Sequence, residues 1–124
     1  MPDLLLDTHV LIWWDEGRRL SREATRAIRS ADSVFVSAVS AWEIAIKTAL
    51  GRLRPQRTIA EAVTQSGFSE LPVGFAHAAL LAKLPDRHKD PFDRMLIAHA
   101  QAEGLVIVTR DPVFKEYEVL FIEA

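Results

Sequence analysis

The chain has 124 residues, of which 49% are hydrophobic and 26% are charged, and it contains no cysteine. This length suits one domain with a single core, and the missing cysteines exclude disulfide scaffolds, thiolate nucleophiles and cysteine-ligated metal sites. Fifteen basic and seventeen acidic residues give a net charge of −2, which disfavours nonspecific coating of nucleic acid by the whole surface.

No segment has the composition of a membrane span or a secretory leader. The apolar run at residues 10–14 has five residues, against the roughly 20 needed to cross a bilayer. Internal repeats and long flexible linkers are also missing from the sequence. We therefore expect residues 1–124 to form one domain that is soluble and cytoplasmic.

Predicted strands and helices alternate from the start of the chain. Residues 4–6 form an apolar run that ends at Asp7, as in a buried parallel strand, and residues 8–14 should return as a helix. Ser21 is the predicted N-cap of a helix that ends near position 30. Residues 33–37 then form a second predicted strand.

The middle of the chain continues the alternation. Ser40 is the predicted N-cap of a third helix that Gly51 ends, and Glu43 would complete a capping box in its first turn. A further helix is predicted for residues 58–66. A weaker signal favours a strand over residues 68–73.

The clearest helix signal lies in the last third of the chain. Residues 75–84 form a predicted helix that Pro85 ends. Asp90 is then the predicted N-cap, with Pro91 at the first helical position, of a helix that ends at Gly104.

The chain finishes with a β-branched strand over residues 105–109, a short helix from Asp111 and a last strand over residues 119–122. This alternation predicts an α/β fold with a mostly parallel central sheet of four to five strands and helices on both faces. A cleft is expected beyond the carboxyl ends of the strands.

Four carboxylates fall where this cleft is expected: Asp7, Glu43, Asp93 and Asp111. Each has a structural explanation when taken singly, because acidic groups in the first turn of a helix bind free amides and favour the helix dipole. Asp90 is most simply a cap, and Asp111 could cap the last short helix.

Gathered at one cleft, these carboxylates would repel one another and raise each other's pKa unless a cation neutralised them. With oxygen ligands only, Mg²⁺ or Mn²⁺ is preferred over zinc. One or two such ions can lower the pKa of a bound water and stabilise charge on a phosphoryl oxygen. The residues by themselves therefore favour metal-dependent cleavage of phosphodiesters.

Four segments carry a resemblance to a known family. They are residues 5–11 (LLDTHVL), 40–44 (SAWEI), 90–98 (DPFDRMLIA) and 108–111 (VTRD). In this order and spacing the chain resembles PIN-domain ribonucleases, and most closely the VapC toxins of bacterial toxin–antitoxin pairs. The resemblance implies a single PIN domain over residues 1–124, with a PIN-like three-layer α/β/α fold.

The resemblance also implies an endoribonuclease that cleaves single-stranded RNA with Mg²⁺ or Mn²⁺ bound by an acidic quartet. The matching catalytic and metal-binding acids are Asp7, Glu43, Asp93 and Asp111. Asp93 is preferred to Asp90 as the third acid because it stands seven residues before the helix alanine Ala100. Asp90 could still support the site.

Other positions acquire expected roles from the same resemblance. Thr8 and Thr109 match small hydroxyl residues beside the acids, where they could bond a carboxylate. The candidates for binding RNA phosphates are Lys47, Arg52, Lys89, Arg94 and Arg110. Arg94 and Arg110 could also pair with the acids when no metal is bound.

The remaining aromatic and histidine residues are expected to be structural. Core packing is predicted for Trp13, Trp14, Trp42 and Phe92. The four histidines show no metal-ligand spacing and are expected on helix or loop surfaces, with His9 near the cleft but off the metal.

The resemblance further implies a homodimer and a cognate antitoxin protein whose C-terminal segment crosses the cleft. The lack of a long apolar segment predicts no membrane partner. The helices near Ile28 and over residues 58–63 are the predicted interface surfaces.

Residues 44–60 contain four basic and no acidic residues, a pattern that fits either a polyanion-binding patch or an ordinary solvated face.

The acidic residues are also compatible with two other functions. Aspartate-based phosphotransfer also uses an aspartate at a strand end with Mg²⁺, but His9 occupies the position where such a site needs its second acid. A noncatalytic, metal-stabilised RNA- or antitoxin-binding module would carry the same acids without cleaving RNA.

Overall fold

The computed structural model describes residues 2–124, and within them five strands form one parallel sheet. The strands are β1 (Leu4–Leu6), β2 (Val34–Ser37), β3 (Ser69–Leu71), β4 (Val106–Thr109) and β5 (Phe121–Glu123). Their order across the sheet is β3-β2-β1-β4-β5, so the first strand of the chain lies at the centre. The predicted α/β fold and parallel sheet are confirmed.

The helices of residues 2–124 follow the predicted order. They are α1 (Thr8–Asp15), α2 (Arg22–Ser30), α3 (Ala38–Ala49), α4 (Ile59–Ser66), α5 (Phe75–Leu81) and α6 (Pro91–Glu103), with a 3-10 helix (Pro112–Glu116) before β5. Helix α5 is three residues shorter than predicted, and β5 begins two residues later than expected. None of these helices is long and apolar enough to span a membrane. The cytoplasmic location stays a prediction.

Alternate residues of β1 face two different hydrophobic cores. Leu4 and Leu6 pack on one side of the sheet in a cluster that includes Ile28 of α2. Leu5 packs on the other side with Leu96 of α6. All three leucines of the strand are fully buried, as expected for a central strand covered by helices on both faces. The three-layer α/β/α architecture follows from this arrangement.

Side-chain caps define the start of two helices as predicted. Ser21 accepts a hydrogen bond from the Ala24 amide at 3.0 Å and begins α2. Asp90 accepts from the amides of Phe92 and Asp93 at 2.8 and 3.2 Å and begins α6. Each cap satisfies backbone donors that have no partner within the helix.

The predicted start of α3 at Ser40 is wrong. Ser37, at the end of β2, is the N-cap, and its hydroxyl accepts from the amide two residues later at 3.0 Å. Ser40 lies inside the helix, fully buried, and accepts a hydrogen bond from the Thr8 hydroxyl at 2.8 Å. Because the chain passes from β2 directly into α3, Glu43 stands in the middle of the helix rather than in a capping box.

Two histidines that were expected at the surface lie in the interior. His99 of α6 is fully buried, and His77 of α5 is nearly so. The Nε2 atom of His99 lies 2.9 Å from the Ser37 hydroxyl, and the two imidazole rings meet edge to face at 4.3 Å. Helix α5 packs against α6 and so covers these rings. The expectation of surface histidines fails because periodicity does not show which helix faces are covered.

The buried His99 should make stability depend on pH. Burial lowers the pKa of His99 to about 4, and the nearby His77 adds to this effect. A histidine in the unfolded chain has a pKa of about 6.5, so between these values the unfolded chain binds a proton that the folded protein excludes. Protonation of His99 in the unfolded chain has little effect above pH 6.5. As the pH falls below this value it lowers the free energy of unfolding, by roughly 2 kcal/mol at pH 5.

The measurement is urea unfolding of the wild type and of His99→Gln, whose amide can still bond Ser37, at pH 7.5 and pH 5. The variant should lose less unfolding free energy between the two conditions. Equal losses would show that His99 is protonated in the folded protein.

Candidate active site

The site begins at the carboxyl ends of the two central strands. Asp7 directly follows β1, and Asp111 lies just beyond β4. These strands are parallel neighbours with Leu6 opposite Val108, and the Asp7 amide donates to the Val108 carbonyl at 3.0 Å. Strand pairing therefore brings the first and last of the four acids to the same edge of the sheet.

An open cleft of about 400 Å³ lies at this edge. It is lined by Asp7, His9, Trp13, Glu43, Lys47, Asp90, Asp93, Arg110 and Asp111. The lining includes all four predicted acids, which come from four different parts of the chain. The structure thus places these side chains together, and their catalytic and metal-binding roles remain predictions.

Asp7 is buried and held by a hydroxyl from the neighbouring strand. Thr109 Oγ1 donates to Asp7 Oδ2 at 2.8 Å across 102 positions of sequence, and Thr109 Oγ1 itself accepts from the Asp111 amide at 3.0 Å. Burial raises the pKa of Asp7, and the Glu43 carboxylate adds to the rise, whereas the Thr109 hydrogen bond and the His9 charge oppose it. The effect of burial on the pKa of Asp7 is larger than the opposing effect of these contacts.

Asp93 lies in the first turn of α6, beside a histidine. His88 Nε2 lies 2.8 Å from Asp93 Oδ2. Burial raises the pKa of Asp93 to about 7, and the carboxylates of Asp7 and Asp90 raise it further, although the His88 hydrogen bond opposes them. This carboxyl group therefore keeps its proton to a much higher pH than a free aspartate does.

His88, Asp90 and Asp93 each offer one ligand atom, and these atoms lie within 4.8 Å of one another. Carboxylate oxygens with an imidazole nitrogen suit a divalent cation, and a cation would remove the repulsion that raises the pKa of Asp93. His88 is not among the site residues predicted from the sequence. Its only signal is its position two residues before the Asp90 cap, in a loop without periodicity.

Glu43 reaches the cleft from the middle of α3. Its side chain is 5% exposed, and Lys47, one turn later, places Nζ 2.6 Å from Glu43 Oε2. The predicted phosphate ligand Lys47 thus lines the cleft and neutralises Glu43 at the same time. The hydroxyl of Thr8, one of the two predicted supporting hydroxyls, bonds Ser40, whereas the Thr8 backbone hydrogen-bonds the Asp7 carboxyl group.

Arg110 lines the cleft without pairing to any of the acids. Its guanidinium lies 4.2 Å from the centre of the Trp13 ring and donates to the carbonyls of Arg19 and Ala124 at 3.4 and 3.2 Å. These contacts hold the cation in a fixed position at the cleft wall. Arg110 is therefore placed to meet a bound anion.

Arg94 does not line the cleft, although it follows Asp93 in sequence. Its guanidinium donates to the carbonyls of Leu81, Pro85 and His88 at 3.2, 3.0 and 3.3 Å. The expected pairing with the acids is wrong, because these carbonyls, from the last residue of α5 and the loop that follows it, take its donors. Arg94 instead organises the loop that carries His88.

The remaining basic candidates lie outside the cleft lining. Arg52 and Lys89 are exposed. Within the basic segment 44–60, Arg57 donates to Asp15 at 2.7 Å and is therefore a structural residue of the α1 end.

One aromatic residue differs from the core packing predicted for it. Trp42 on α3 is 58% exposed, and its ring meets the half-buried Phe92 ring edge to face at 5.2 Å. Ile46 and Leu50 follow at four-residue intervals and are also exposed. Together they form an exposed apolar stripe along α3 and its C-cap residue Leu50. Trp13, half-buried against the core, lines the cleft.

The fold and the acidic cleft agree with comparisons to known proteins. The PIN domain family model matches residues 4–120. Ribonuclease VapC22 of Mycobacterium tuberculosis is 36% identical over 119 residues, which cover 90% of this chain and 88% of that relative.

Solved structures share the fold over nearly the whole chain. The VapBC2 structure from Rickettsia felis, bound to a promoter DNA fragment, matches with a TM-score of 0.72 at 11% identity and covers 98% of both chains. The DNA-bound VapBC structure from Salmonella typhimurium matches with a TM-score of 0.70 at 22% identity and covers 99% of this chain and 98% of that one. The chain belongs to the PIN domain family and, within it, to the VapC-type ribonucleases.

Proposed function

We propose that this ribonuclease is a divalent-metal-dependent endonuclease of single-stranded RNA that acts as the toxin of a toxin–antitoxin pair. The observation that carries the proposal is the cleft in which acids of four separate elements meet: Asp7, Glu43, Asp93 and Asp111. Burial raises the pKa of Asp7 and of Asp93, and neighbouring carboxylates raise both further. A bound cation would favour the charged forms of these groups.

Asp7 and Asp93 would hold the ion, with Glu43 and Asp111 completing the acidic wall. Mg²⁺ or Mn²⁺ fits a donor set dominated by carboxylate oxygens. A bound divalent ion supplies positive charge that lowers the pKa of water and stabilises negative charge on a phosphoryl group.

The chain's own residues orient these acids and bind the substrate. Thr109 fixes one oxygen of Asp7, and His88 fixes one oxygen of Asp93, so both carboxylates are held before any ligand arrives. Lys47 and Arg110 are the cations of the cleft lining and would bind the phosphates on either side of the cleaved bond.

A cognate antitoxin and a second copy of the chain are the proposed protein partners. The matching structures from Rickettsia felis and Salmonella typhimurium are VapBC complexes, which supports an antitoxin partner here. The exposed stripe of Trp42, Ile46 and Leu50 offers the apolar surface that a homodimer needs. Ile28, near which one interface was predicted, belongs to the core and cannot contribute its side chain.

Cleavage of labelled single-stranded RNA tests the activity directly. Antitoxin-free protein should cut the RNA with Mg²⁺ or Mn²⁺ and leave it intact in EDTA. Asp7→Asn and Asp93→Asn should each lower the rate by at least about 100-fold, because each removes negative charge that holds the ion. Asp86→Asn is the matched control, since Asp86 is exposed and outside the cleft lining. RNA that is bound but never cut by folded protein would favour the noncatalytic module.

A pair of substitutions at Asp90 separates capping from metal binding. Asp90→Asn keeps an oxygen at the N-cap and should melt like the wild type, whereas Asp90→Ala should lose about 0.5–2 kcal/mol of stability. Both variants should retain cleavage within about tenfold if Asp93 is the third acid. Loss of turnover in Asp90→Asn with normal melting would transfer that role to Asp90.

Thermal melting without substrate tests whether Asp93 binds the divalent ion. At pH 8 the folded protein carries an ionised Asp93 at a cost, because its pKa is raised, and this cost is absent below the unfolded-state pKa near 4. Asp93→Asn should therefore melt above the wild type in EDTA at pH 8. Saturating Mn²⁺ at about 100 times its Kd should stabilise the wild type by about 2.7 kcal/mol. The same addition should stabilise the variant much less, and an equal gain in both proteins would place the ion elsewhere.

A further inference from the structure

A second groove, outside the acidic cleft, is lined by arginines. It lies between the end of α1 and helix α2 and encloses about 760 Å³. Its lining contains no carboxylate and five arginines: Arg18, Arg19, Arg22, Arg26 and Arg29. One third of the fifteen basic residues of the chain therefore meet in one groove of a protein whose net charge is −2. We refer to it as the arginine groove.

Helix α2 presents a row of these side chains on one face. Arg22, Arg26 and Arg29 recur at intervals of four and three residues, so they lie on the same side of the helix. Ala24 and Ile28 occupy the opposite side and are buried in the core. At 1.5 Å per residue the row extends over about 10 Å. The amphipathic pattern that docks α2 on the sheet thus also aligns the arginines.

The charge of the arginine groove is largely uncompensated. Among the described residues, Arg18 is the one member with a carboxylate partner, Glu16 at 3.0 Å. For the other four, no carboxylate oxygen of residues 2–124 lies within 4.0 Å of the guanidinium. Like charges held together in this way attract a partner that carries several negative charges.

The arginine groove and the acidic cleft meet at consecutive residues of α1. Trp13 lines the cleft, and Trp14 lines the arginine groove. Arg110 joins the two, because its guanidinium stacks on Trp13 and donates to the carbonyl of Arg19. A polyanion that leaves the cleft past Arg110 therefore meets the arginine groove next.

We propose that the arginine groove binds the phosphates of an RNA segment adjacent to the one cut in the acidic cleft. The proposal rests on the proposed function, since it takes the RNA in the cleft as given. Guanidinium groups bind phosphate oxygens through two parallel hydrogen bonds, and a row of them can follow a phosphodiester backbone without reading its bases. Continuity with a phosphodiester-cleaving cleft favours RNA over an acidic protein segment as the occupant.

The test compares two triple variants with equal loss of charge. The groove triple combines Arg22→Gln, Arg26→Gln and Arg29→Gln, which remove the three positive charges of the row on α2. Lys83→Gln, Arg87→Gln and Lys115→Gln together are the control, because these residues are exposed and lie outside both the arginine groove and the cleft. Thermal melting checks that both proteins fold, and the single variant Arg26→Gln replaces the first triple if it does not fold.

Binding is measured by fluorescence anisotropy in EDTA with a labelled single-stranded RNA of about 30 nucleotides and with one of about four nucleotides. The wild type should bind the long RNA at least tenfold more tightly than the short one. The groove triple should lose this preference. Its slope of log Kd against log salt should be smaller than that of the wild type by about 2, because three phosphate contacts are lost and each contributes about 0.7 to the slope. The control triple should keep the preference.

Other outcomes overturn the proposal. The proposal is wrong if the groove triple binds the long RNA as tightly as the wild type does. It is also wrong if the wild type does not bind the long RNA. A deca-glutamate peptide that binds the wild type more tightly than RNA, and loses affinity only in the groove triple, would assign the groove to an acidic protein segment. Failure of the proposed function is a separate result, because loss of cleavage with Mg²⁺ leaves the anisotropy comparison in EDTA unaffected.

Discussion

The cost of burying several carboxylates in one cleft is the constraint around which the site is built. Asp7 and Glu43 are almost completely buried, and Asp93 is largely so, yet all three share one cleft. Removing a carboxylate from water disfavours its charged form, and a second carboxylate nearby disfavours it further. Each acid therefore has a partner that reduces this cost, namely a hydroxyl from β4 for Asp7, Lys47 for Glu43 and His88 for Asp93. The remaining excess of negative charge supports the proposed binding of a divalent cation.

The parallel sheet makes this concentration of charge possible. Because β1 is central and β4 is its neighbour, their carboxyl ends place Asp7 and Asp111 side by side. Helices α3 and α6, which pack against each other, then bring Glu43 and Asp93 to the same edge. The two leucine-rich cores hold the strands in register, so stability gained in the core offsets the electrostatic cost at the edge.

The same fold separates positive from negative charge. The acidic cleft lies at the carboxyl edge of the sheet, and the arginine groove lies beside it against α2. Trp13 and Trp14 mark the boundary, and Arg110 crosses it. The proposed metal-dependent cleavage would use both environments, because the ion would be attracted to the cleft and phosphates of the substrate to the groove. The small net charge of the chain conceals this separation.

The sequence by itself determined the order of strands and helices and which acids stand at the ends of strands. Apolar runs, the caps at Ser21 and Asp90 and the helix-ending glycines are local signals, so they are readable without a fold. Only the tertiary structure decided that His88 contacts Asp93, that Trp42 is exposed and that five arginines share a groove. Each of these depends on how elements distant in sequence pack together, as when α5 covers α6, and the spacing of residues along the chain does not specify that packing.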